Sequence, residues 1–144
     1  MTTNTLNLEL LLRAGGVLHL GILIASALVP NVLDWRGELA KLRPLSRQLV
    51  WMHGAFIVLV IVAFGVLSLA LAGPLADGTP LARGVCGFVA AFWLVRLGVQ
   101  FFVFDAAPFL NTPLLRVGYH GLTVTFTVLV LVYGWAAVAP AALN

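Results

Sequence analysis

The chain has 144 residues, 62% of them hydrophobic and 9% charged, with a mean hydropathy of +1.08. This excludes the ordinary soluble class, in which about 25% of residues are charged. The length allows a single transmembrane domain, residues 1–144, of about four spans with short loops. A net charge of +3 and a pI near 9.8 would point to nucleic acid in a soluble protein. Here the cations gather between Arg36 and Arg47, the bias of a cytoplasmic loop, so no nucleic-acid partner is expected. The one cysteine, Cys86, can form no intramolecular disulfide and reads as a small packed residue.

The first span is expected from Leu8 to Val29. Glu9 and Arg13 are spaced i,i+4 and can pair at the membrane edge. Gly15, Gly16, His19 and Ser26 fall on one helical face, the mark of a side packed against protein, since small and polar residues line helix contacts in lipid. Pro30 is read as the end of this span. In the connection to Pro44, Asp34 can cap a short helix with Trp35, Leu39 and Leu42 on one side and Arg36, Lys41 and Arg43 elsewhere. That is the pattern of a cytoplasmic interfacial helix.

Leu49 to Ala72 has no formally charged side chain and forms the second span, with His53 about a turn inside its basic end. Gly73 to Thr79 reads as a turn, because Gly73-Pro74 and Asp77-Gly78 are chain breakers. The third span, Leu81 to Phe104, carries Arg96 and Gln100 four residues apart, on a face with Trp93 and Phe104. Asp105, Pro108 and Pro113 bound the next connection, and Asn111 or Thr112 can cap a fourth span, Leu114 to Val138, with Pro113 in its first turn. The fold class is therefore an all-α integral membrane four-helix bundle with a short interfacial helix between spans 1 and 2. The basic first connection places both termini outside the cytoplasm, in a bacterial-type inner membrane. Trp35 and Trp51 are read as the inner aromatic belt, Tyr133 and Trp135 as the outer one.

With this topology His53, His120, Arg96 and Gln100 reach a similar depth in the cytoplasmic third of the bilayer. Arg116, His120, Thr123 and Thr127 form a stripe on the fourth span at i, i+4, i+7 and i+11. An ionisable group inside a membrane costs about 2.5–3.5 kcal/mol on insertion scales, so such groups face the bundle and find partners. A polar cluster is therefore expected. One reading is tetrapyrrole binding: His53 and His120, matched in depth, are axial ligands of haem or a chlorophyll-type magnesium porphyrin, and Arg96 neutralises a propionate. A second reading has His53, His120, Gln100 and Arg96 satisfy one another and fix helix register. His19 lies roughly 8–10 Å deeper than the other imidazoles, which argues against a three-histidine copper or zinc site. Arg96 and Arg116 could line an anion path only in an oligomer, as a channel or transporter.

No serine-histidine-acid order, phosphate loop, paired catalytic carboxylates or HExxH motif occurs. The preferred reading is a non-catalytic structural or accessory subunit of a larger membrane complex. Its partners would be the lipid bilayer and other membrane subunits or further copies of itself.

Overall fold

The computed structural model describes residues 3–32, 34–105 and 110–139; Pro108 lies outside them. Six helices follow in order among the described residues: α1 (Thr3–Val32), α2 (Trp35–Ala40), α3 (Pro44–Ala70), α4 (Ala72–Ala76), α5 (Pro80–Phe102) and α6 (Pro113–Val138). α1, α3, α5 and α6 are long and apolar enough to cross a membrane. At 1.5 Å of rise per residue they run about 35–45 Å, against a hydrocarbon core of about 30 Å. The fold is an all-α four-helix bundle, and the membrane is the environment its composition demands.

Local chemistry sets the helix ends. α3, α5 and α6 all open with proline in the first turn, where the missing N–H breaks no helical bond. For this reason α3 begins at Pro44, ahead of Leu49. Thr79 and Thr112 cap α5 and α6, accepting from the amides of Ala82 (3.2 Å) and Leu115 (3.3 Å). Asp34 adopts a left-handed conformation, φ 44°, from which its carboxylate accepts the Gly37 amide and starts α2.

Two further features differ from the sequence reading. α1 runs through Pro30 to Val32, because a proline so near the end removes only a bond of the last turn. Gly73-Pro74 does not form a turn. It lies in the first half of the short helix α4, whose Ala72, Leu75 and Ala76 are buried. The reversal comes later, at Gly78, with φ 69°.

The extensive pairings are α1 with α3 and α5 with α6; α1 also touches α6, and α4 packs against α1 and α5. α1 and α3 approach through glycines. A Cβ on Gly16 would lie 2.7 Å from Leu69 Cγ and 3.2 Å from the Gly65 carbonyl, and one on Gly65 would lie 3.3 Å from His19 Cβ. In lipid, where no hydrophobic force drives helices together, such close backbone contact supplies the dispersion energy that does.

Burial is uneven along the bundle. Toward the end that carries α4, all four long helices contribute buried residues, among them Leu12, Ser68, Cys86 and Tyr133. Toward the end that carries α2, none of residues 23–31 of α1, 44–60 of α3 or 113–125 of α6 is buried, whereas α5 still buries Leu97 and Gln100. The bundle is closed at its α4 end and open at its α2 end.

Candidate functional site

The centre of the closed half is His19, which has no exposed surface. Its Nδ1 lies 2.7 Å from the Gly15 carbonyl oxygen, and its Nε2 lies 3.0 Å from Trp93 Nε1. An indole N–H can only donate and a carbonyl oxygen can only accept, so Nε2 is bare and Nδ1 carries the proton. The imidazole is neutral and in a single tautomer. Around it, Phe64 and Tyr133 present ring edges with centroids at 5.8 Å, and Trp93 stacks on Phe126 at 4.8 Å.

A second circuit runs beside the first. Ser68 spends its only hydroxyl proton on the Phe64 carbonyl, at 2.7 Å, so the Tyr133 hydroxyl must be the donor in the hydrogen bond between Tyr133 and Ser68. That hydroxyl rests on Gly15, where an added Cβ would come within 2.9 Å of it. All four long helices thus meet at one hydrogen-bonded aromatic nest. Both imidazole nitrogens are already engaged, so the nest fixes helix register and offers no free lone pair on His19 to a metal.

The other sequence-derived candidates lie toward the α2 end. Gln100 donates to the Thr123 hydroxyl, which donates in turn to the Tyr119 carbonyl at 2.9 Å. Thr127 bonds back to the Thr123 carbonyl at 2.8 Å. Arg116 is exposed and its Nε donates to the Leu110 carbonyl at 2.9 Å, tying down the residues before α6. His53 and His120 are both exposed. His53 Nδ1 meets the Leu49 carbonyl at 2.7 Å, and His120 has the ring edge of its neighbour Tyr119.

Helix rise places these two histidines in height. His120 is six residues below Phe126, which stacks on Trp93, or about 9 Å, and His53 is twelve residues below Gly65, or about 18 Å. Both therefore lie toward the α2 end of the bundle. Among the described residues no hydrogen bond or ring contact joins His53 to His120, and no three His, Cys, Asp or Glu side chains converge as a metal-ligand group.

Arg96 is half-buried at the mouth of the open half, on the α5 stripe that also carries Phe92 and Val99. Its guanidinium lies over two rings, 5.3 Å from the Phe126 centroid and 5.5 Å from that of Phe104. Its Nη1 is buried and makes no hydrogen bond. A cleft of about 300 Å³ opens between Leu18, Gly21, Ile22 and Ala25 of α1 and Gly118, Gly121, Leu122 and Thr125 of α6.

The sequence reading missed the partners of His19. Tyr133 was placed in the outer aromatic belt, but it is 1% exposed and in the core, while its neighbour Trp135 does face outward. A signal was present: Ser68 is the one hydroxyl of its span, and with its proton spent on its own helix its oxygen can still accept from a neighbouring one. Compared with known proteins, the chain matches no family model, no curated protein and no solved structure.

Proposed function

We propose that this small membrane protein is a non-catalytic structural or accessory subunit of a larger membrane assembly, with its α2 end at the cytoplasmic face. The observation that carries the reading is the division of the bundle. The polar groups of the closed half are satisfied within the chain, whereas the open half shows His53, His120 and a wide apolar surface on α3, including Met52, Phe56 and Leu59. Polar groups near the membrane interior are normally covered by protein, and extended apolar faces are covered by lipid or by partner helices. Other membrane subunits are the occupants this surface fits.

The test is in-cell photo-crosslinking from single positions on the open half, Met52 and Phe56, and from Leu81 on the closed half as control. A discrete adduct with another membrane protein from Met52 or Phe56, absent from Leu81, is the expected result. A chain that crosslinks only to lipid and purifies as a monomer catalysing turnover or flux in liposomes would overturn the reading. A Soret band in the purified protein that disappears in His53→Ala and His120→Ala would replace it with the tetrapyrrole reading.

A further inference from the structure

The most anomalous group in the molecule is Arg96. A guanidinium stays charged at any accessible pH and carries five donors, yet its Nη1 is buried without a hydrogen bond. The rings of Phe104 and Phe126 hold it at 5.5 and 5.3 Å, which steadies the cation but accepts none of its N–H groups. The chain itself is poor in counter-ions: its acids are Glu9, Asp34, Glu38, Asp77 and Asp105, of which Glu9 lies within α1 and the others at helix ends or in connections. Glu9 is committed to Arg13 at 2.8 Å and Glu38 to Lys41 at 2.6 Å. By helix rise Arg96 lies six residues inside the end of α5, about 9 Å, where an uncompensated charge is expensive.

α3 reaches the α5 stripe through Phe64, whose ring contacts Phe88 and Phe92 at 6.0 and 5.2 Å. Below that contact no residue of α3 from 44 to 60 is buried. At the depth of the guanidinium the neighbours of this side of α5 are the rings of Phe104 and Phe126, and α3 contributes no buried residue there.

We propose that this face of α5 docks a transmembrane helix of a different protein, one that brings an Asp or Glu carboxylate to the depth of Arg96. The proposal rests on the subunit reading above and adds the chemistry of the contact. A carboxylate accepts two N–H groups of the guanidinium in a fork and removes the charge imbalance, an interaction whose weight rises as water is excluded. A second copy of the chain fits less well, because the one acid within its spans, Glu9, is already paired with Arg13.

The experiment places a photo-crosslinker at Val95, which is exposed on α5, in the full chain in cells. The expected result is one adduct whose partner peptide contains a transmembrane Asp or Glu. Arg96→Gln should reduce its yield on the order of tenfold or more, and so should the amide variant of the partner's acid. Arg96→Lys should retain only part of it, since an ammonium keeps the charge but not the fork. A thermal melt of each variant in detergent checks that the bundle still folds. An adduct indifferent to Arg96→Gln, an adduct to a second copy, or an adduct displaced by added dodecanoate in an Arg96-dependent way would overturn the proposal. The last of these would identify a small carboxylate amphiphile as the true ligand. An Arg96-indifferent adduct would still leave the subunit reading standing, so the two can fail separately.

Discussion

At the scale of single residues, His19 shows how a polar side chain is made acceptable in the middle of an apolar bundle. Its two nitrogens have opposite roles, and the chain supplies an acceptor for one and a donor for the other. His19→Phe keeps a ring of similar volume but strands the Trp93 N–H, which should cost about 1–3 kcal/mol. His19→Ala adds a cavity and should cost more. Thermal unfolding in mild detergent measures both, and a His19→Phe protein as stable as the parent would show that the bond to Trp93 is not made. Nitrogen NMR of the imidazole should show a protonated Nδ1 and a bare Nε2. At the surface, the Glu38 carboxylate bonded to Lys41 holds that ammonium above its usual range. Glu38→Gln should bring the Lys41 titration back down in an NMR measurement, with little change in melting temperature, since exposed ion pairs contribute little.

At the scale of elements, the glycines divide by what they touch. Gly16 lies against Leu69 and the Gly65 backbone, whereas a Cβ on Gly21 would meet nothing within 4 Å. Gly16→Ala should force α1 and α3 apart and destabilise by about 1–3 kcal/mol, the usual range for overpacking. Gly21→Ala should be neutral or stabilise by up to about 1 kcal/mol, because alanine is the better helix former. A paired melt of the two variants reads the contrast directly. If both changed stability equally, the close approach of α1 and α3 would not be the source of their cohesion.

At the scale of the whole molecule, the closed and open ends must lie on opposite sides of a membrane. The basic residues Arg36, Lys41, Arg43 and Arg47 cluster at the α2 end, the end that the proposed topology puts at the cytoplasmic face. Cys86 is fully buried, so background labelling by a membrane-impermeant maleimide should be low. Lys41→Cys should therefore label only after the cytoplasmic side is opened, and Asp77→Cys should label from outside in intact cells. The reverse pattern would invert the topology.

The long apolar runs and their polar interruptions determined the number of long helices, though not the short α4, and the proline and threonine signals located the start of α6 without help from tertiary contacts. The pairing of Glu9 with Arg13 was equally legible, because an i,i+4 pair is a property of one helix. Of the face of Gly15, Gly16, His19 and Ser26, the first three do pack closely, since glycines in a membrane helix mark close approach, whereas Ser26 is only half-buried. Helix rotation and the heights at which helices meet were not legible, because no single helix encodes them. Only the assembled bundle made Trp93 the donor to His19, drew Tyr133 inward from the expected outer belt, and turned His53 and His120 outward at the open end. Four apolar helices have many rotations of nearly equal hydrophobic burial in lipid. The choice among them falls to a few hydrogen bonds and glycine contacts whose partners lie between 46 and 118 residues apart in the chain.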